Sequence, residues 1–78
     1  MIKLFDNENE KEIGLITEPQ LQFLVEELAD ESLDEYTYNI NASVISYLEG
    51  NGAEPHLVRM LRGALGSRVS MELRYDPE

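Results

Sequence analysis

The spacing of hydrophobic positions changes along the chain, and each change marks an element. Ile2, Leu4 and Phe5 fall in a short β-prone run over residues 2–5. A polar connector of six residues follows, Asp6-Asn7-Glu8-Asn9-Glu10-Lys11, rich in turn formers. Residues 12–17 are apolar again through Ile13, Leu15 and Ile16. Two such runs about a polar connector predict a β-hairpin with a generous loop. Gly14 inside the second run predicts a bulge or a close backbone approach.

At Thr17 the period becomes helical. Thr17 and Gln20 have capping-box spacing, Glu18 suits the positive end of the helix dipole, and Pro19 falls in the first turn, where a missing N–H costs little. Leu21, Leu24, Val25 and Leu28 continue the pattern and predict a helix ending near Ser32. Six of the ten residues from 26 to 35 are acidic, which opposes the dipole at that end and predicts fraying. Residues 36–40, Tyr-Thr-Tyr-Asn-Ile, alternate and read as a short extended piece. Asn41 is a good N-cap for a second helix carrying Val44, Ile45 and Leu48, which Gly50-Asn51-Gly52 stops. Pro55 opens a third helix, with Glu54 as a mediocre cap. Leu57, Val58, Met60, Leu61, Ala64 and Leu65 give that helix a broad apolar face, and Gly66 ends it. From residue 68 to 76 the alternation is strict: Val69, Met71, Leu73 and Tyr75 on one face, Arg68, Ser70, Glu72, Arg74 and Asp76 on the other. That predicts a strand buried on one face and wet on the other. The expected fold is a single α+β domain over residues 1–78, a small antiparallel sheet in the order β-β-α-α-α-β with helices packed on one face.

Composition narrows the function. Seventy-eight residues exclude any enzyme fold of two or more domains. The chain has no Cys, hence no disulfide, thiol nucleophile or thiolate metal site. A net charge of −10 argues against nucleic acid and anionic membrane surfaces as partners. The longest uninterrupted apolar run is three residues, Phe23-Leu24-Val25, so no membrane insertion is expected. The N-terminus reads as carrying no targeting signal, and the expected location is cytoplasmic.

Several stretches resemble a family of short acidic bacterial proteins of unknown function. They are Lys3-Leu4-Phe5-Asp6-Asn7, Leu21-Gln22-Phe23-Leu24-Val25, Glu31-Ser32-Leu33, Tyr38-Asn39-Ile40-Asn41-Ala42, Gly52-Ala53-Glu54-Pro55, Ala64-Leu65-Gly66 and Met71-Glu72-Leu73-Arg74, together nearly the whole chain. Some members are labelled galactosyldiacylglycerol synthase. The resemblance thus implies an enzyme or accessory subunit in galactolipid synthesis, using a nucleotide sugar, and it supplies no catalytic residue.

Candidate chemistry is sparse. His56, the only His, reads as a solvated residue at a helix start. The oxygen-rich stretch from Asp6 to Glu10 has calcium-loop character, but Lys11 and Thr17 occupy the positions where such a loop needs Gly and Glu, so it reads as a solvated hairpin loop. No catalytic, metal or cofactor site is expected. Charge is uneven: residues 1–54 hold 13 acidic and 2 basic residues, whereas residues 55–78 hold 4 basic and 3 acidic. Arg59 and Arg62, on the outer face of the third helix, either face the acidic first helix or form a polar interface. If Leu24, Val25 and Leu28 define the buried face of the first helix, Phe23 points away from it beside Glu26 and Asp30. An aromatic ring there is either a binding anchor or is covered by a loop, the Tyr36–Tyr38 segment or the C-terminal tail. Tyr47 also lies off its helix's apolar face. The leading expectation is a small acidic protein, without catalytic activity, acting through a protein partner or self-association at Phe23, Glu26, Asp30, Arg59 and Arg62. The alternatives are the galactolipid role and a regulatory module for a small ligand, in a cleft lined by His56 and Tyr hydroxyls.

Overall fold

Strand β1 (Ile2–Asp6) and strand β2 (Lys11–Ile16) form an antiparallel hairpin in a computed structural model that describes residues 1–76. Helix α1 (Glu18–Glu27) follows, then a single 3₁₀ turn (Ala29–Glu31), strands β3 (Ser32–Asp34) and β4 (Thr37–Asn41), helices α2 (Ala42–Gly50) and α3 (Pro55–Leu65), and strand β5 (Ser70–Asp76). All strand pairs are antiparallel and the sheet runs β2-β1-β5-β4-β3. The fold is α+β with the helices packed against the sheet.

The local signals act as the residues predict. Thr17 caps α1: its Oγ1 accepts from the Gln20 amide at 3.3 Å, and the Gln20 side chain accepts from the Thr17 amide at 2.8 Å. Asn41 Oδ1 accepts from the Val44 amide at 2.9 Å and opens α2. Gly66 ends α3 at φ 59°, a left-handed conformation that glycine adopts without a Cβ penalty. At Gly14 both expectations hold. The β1–β2 register shifts between Leu4 and Phe5, and a Cβ on Gly14 would lie 3.0 Å from the Met60 sulfur of α3.

Three boundaries differ from the pattern. The sheet has two strands more than the three expected, because the alternating run before Asn41 pairs with β5 on one side and with β3 on the other. Helix α1 stops at Glu27 and does not reach Ser32, since no basic residue occupies its last turn to offset the acids there. Strand β5 starts at Ser70, and Val69 is 90% exposed instead of joining the inner row. Its neighbour strand β4 runs out at the Asn41–Ser70 pair, where Asn41 turns into α2.

The core lies between one sheet face and the helices. Ile2, Leu4, Ile16, Ile40, Met71 and Leu73 meet Leu24, Leu28, Ile45, Leu48, Leu57, Leu61 and Leu65. The opposite face is polar: Lys3, Asn39 and Glu72 share it with Arg74, whose guanidinium lies 4.5 Å over the Phe5 ring.

Leu73→Ala should cost about 2–5 kcal/mol, because Leu73 is fully enclosed at the centre of the sheet. Val69→Ala should cost under about 0.5 kcal/mol. Urea unfolding of both variants checks the strand boundary; equal losses would contradict it.

Candidate functional site

One ion pair organises the end of the molecule where the sequence turns basic. Asp6 ends β1 with its side chain only 5% exposed. Arg68, in the link between α3 and β5, donates to Asp6 Oδ2 at 2.5 Å, to Glu8 Oε1 at 3.1 Å and to the Ala64 carbonyl at 2.7 Å. The second Asp6 oxygen accepts the Glu8 amide at 3.0 Å. Burial by itself would raise the Asp6 carboxyl; the Arg68 hydrogen bond, the Glu8 amide and the Arg68 charge outweigh it and hold Asp6 below its ordinary value. The same partners raise Arg68. Asp6 is thus committed to Arg68 within the hairpin loop, and Glu10 lies 3.6 Å from Arg74.

Beside this pair runs a groove of about 480 Å³ between the β2 edge and α3. Ile13, Met60 and Ala64 are half-buried along it, Gly63 leaves open space, and Lys11, Glu12, Arg59 and Arg68 stand around them. It continues as a shallower trough past Gly14, Leu15 and His56. The helix presents His56, Arg59, Met60 and Gly63, one ridge at i, i+3, i+4 and i+7. His56 is exposed, as expected for a helix start, and the trough it lines contains no tyrosine. Among the described residues neither Lys11 nor Arg59 has an ion-pair partner.

The five residues singled out from sequence do not share one surface. Arg59 lines the groove, whereas Arg62 pairs with Glu49 of α2 at 2.9 Å; neither has a described ion pair with α1. Glu26 accepts from Gln22 within α1. Asp30 belongs to a third place, a cleft of about 300 Å³ with Glu27, Glu31, Ser43 and Tyr47. There Tyr47 is 54% exposed, off its apolar face as expected, and its hydrogen bond with Glu27 pushes the hydroxyl up. Phe23 does not point away from the core. The buried ridge of α1 is Gln20, Leu24 and Leu28; Phe23 is half-buried against the core, and Val25 is exposed. Phe23 shares a hollow of about 160 Å³ with Ala53, Glu54 and Leu57, where Gln20 donates to Glu54 at 2.6 Å. The 52–54 loop is therefore its cover; the tail at residues 77–78 lies outside the described residues.

The groove residues Lys11, Ile13, Met60 and Gly63 escape a sequence reading. Their only signals are Gly14, which lets strand and helix approach, and Gly63, a small residue on a helix's outer side.

Arg68→Ala should cost about 2–3 kcal/mol, below the ~3–5 kcal/mol of a fully buried pair because Arg68 is a third exposed. The Asp6 pKa is depressed on folding, so its stabilisation is complete above the unfolded value of 3.8 and is lost as pH falls through the lower folded value. Denaturation midpoints measured between pH 6 and pH 2, on the order of the carboxylate range, should therefore drop below the unfolded value, and less steeply in Asp6→Asn. For Phe23→Ala, half-burial predicts a loss of roughly 2 kcal/mol in dilute solution, about half that of a core phenylalanine. An unchanged midpoint would return Phe23 to the free surface.

The strands are antiparallel throughout the described sheet, so it has no counterpart of the crevice at the strand-order reversal where parallel sheets bind nucleotides. Compared with family models, curated proteins and solved structures, the chain finds no match in any of the three.

Proposed function

We propose that the protein is a small binding domain without catalytic activity, acting through protein contacts, and that its working surface is the groove between β2 and α3. The observation carrying this reading is a sheet edge left open beside an apolar-floored groove. β2 ends the sheet, so every second residue along it turns a backbone N–H and C=O outward. Such an edge is a template for another strand unless something covers it. Beside it Met60 offers a flexible thioether that adapts to different side chains. The other edge is weaker in this respect, for β3 is three residues long and carries Asp34.

The reading gives the charged residues a division of labour. Arg62 and Arg68 are held within the fold by Glu49, Asp6 and Glu8. Arg59 and Lys11 remain for a partner. The acids of α1, the 3₁₀ turn and β3, largely exposed, keep like molecules apart.

Placing the photo-reactive residue benzoylphenylalanine at Gly63, where a side chain meets open space, should give discrete cross-linked adducts in cells. The same residue at Lys3, exposed on the outer sheet face, should give none. Equal adducts from both positions, or none from Gly63, would overturn the assignment of this surface.

A further inference from the structure

We propose that Asn51 is a site of spontaneous deamidation, gated by the last turn of α2, and that its product undoes the turn joining α2 to α3. Asn51 lines neither the groove nor its trough, so the proposal stands apart from that surface. The chemistry begins in the sequence. An asparagine loses its side-chain amide when the next backbone nitrogen attacks Cγ. The N–Cγ bond forms, the Cγ–Nδ2 bond breaks, and Nδ2 leaves as ammonia, carrying off the proton of the attacking amide. The cyclic imide then takes up one water. It opens at one carbonyl to aspartate or at the other to isoaspartate, in which the main chain runs through the side chain. Water is the only co-reactant. The ring closes most readily where the following residue has no Cβ. The chain has five asparagines, and only Asn51 precedes a glycine; the others precede Glu8, Glu10, Ile40 and Ala42.

The structure places this pair where α2 ends. Asn51 is the C-cap, and Gly52 follows it at φ 98°, in the left-handed region. The Ala53 amide donates to the Leu48 carbonyl at 3.1 Å and the Gly52 amide to the Glu49 carbonyl at 3.2 Å. Those two bonds close a helix around a left-handed glycine. The Asn51 side chain adds a third, with Nδ2 donating to the Tyr47 carbonyl at 2.7 Å. The attacking nitrogen and the leaving nitrogen are therefore both tied to carbonyls of the last turn. Attack needs both bonds released, so the opening of that turn sets the rate. The opening is local. Asn51 and Gly52 are exposed, and a Cβ on Gly52 would meet nothing within 4 Å. Exposed helix ends open far more often than a whole domain unfolds. Elsewhere the asparagines are held differently: Asn7 lies between Arg74 and Glu72, and Asn41 caps α2.

The product cannot rebuild the turn. A carboxylate at position 51 has no hydrogen to offer the Tyr47 carbonyl, and it brings negative charge to the negative end of α2. Isoaspartate also lengthens the main chain by one carbon, between the carbonyls of Leu48 and Glu49 and the amides that they bind. Ala53, half-buried against the core, loses its register. With it shifts the 52–54 loop, which covers Phe23 and carries the Glu54 carboxylate that accepts from Gln20. A change at one peptide bond thus reaches the contact between α1 and the start of α3.

The test stores the full chain, ¹⁵N-labelled, in neutral buffer and, in parallel, in denaturing urea. Digestion and mass spectrometry locate the exchange of NH for oxygen and separate aspartate from isoaspartate. The exchange should fall on Asn51 before any other asparagine. The folded chain should react within about 100-fold of the unfolded one, because only a helix end has to open. Asn51→Gln keeps a neutral amide but closes only a larger, slower ring. It should remain folded by its thermal midpoint and show no exchange at this position. In the aged protein the amide signals of residues 48–54, Gln20 and Phe23 should shift. Asn51→Asp, which lacks the added carbon, should reproduce a smaller part of those shifts.

Three results would overturn the site: exchange appearing first at another asparagine; undiminished exchange in the peptide carrying Asn51→Gln; or a folded chain slowed about 1,000-fold or more, the suppression expected when the whole domain has to unfold first. Aged protein whose Gln20 and Phe23 signals superpose on those of fresh protein would overturn the transmitted effect. A groove that fails its cross-linking test leaves these outcomes unchanged, since Asn51 takes no part in it.

Discussion

Strand β5 lies between β1 and β4 and hydrogen-bonds both, so neither half of the sheet closes until Ser70–Asp76 is in place. Before that the first hairpin is a two-stranded ribbon and β3–β4 a second one, each too small to hold its apolar face alone. Inserting β5 joins it to β1, as in the Leu4–Tyr75 pair, and covers Met71 and Leu73 completely. The cost is the entropy of closing the long loop between β1 and β5.

The Arg68–Asp6 pair sets how β5 enters. Arg68 reaches back to the Ala64 carbonyl at the end of α3 and forward to the carboxylate at the end of β1. Helix end, hairpin turn and strand start therefore share one charged centre. A carboxylate so enclosed is tolerable only while it is matched, and the matching orients the chain as it leaves Gly66. Val69 is turned outward next to it. The same centre forms one end of the groove, so the element that closes the fold also shapes the surface through which we propose it acts.

Much of the fold is legible residue by residue. Thr17 with Gln20, Asn41, and Pro55 with Gly66 place the helix ends through hydrogen bonds and dihedral limits that lie within a few residues. The alternation of Met71, Leu73 and Tyr75 gives the face of β5. Legibility fails where a neighbour from elsewhere in the chain decides. Alternation continues through Val69, but pairing stops where β4 turns into α2. Residues 32–34, among acids, look like the frayed end of a helix and become a strand only because Tyr38 and Thr37 pair with them. On α1, Phe23 and Val25 lie about 100° to either side of Leu24, and spacing from Leu21 and Leu28 favours Val25 as the buried one. The 52–54 loop covers Phe23, and nothing equivalent covers Val25.

The sequence by itself determined the class of the fold, the starts of the helices, the inner face of the last strand and the lack of thiol chemistry in a chain with no Cys. Each follows from interactions spanning a few residues or from composition. Only the tertiary structure decided which arginines are spent inside the fold and which stay available. Arg59 and Arg62 look alike in sequence, yet Glu49 stands within reach of one and an open groove beside the other. It also decided that β2 is an edge, because strand order depends on where β5 inserts. A sheet edge and an unpaired charge are both defined by what is missing alongside, and no local pattern encodes the absence of a neighbour.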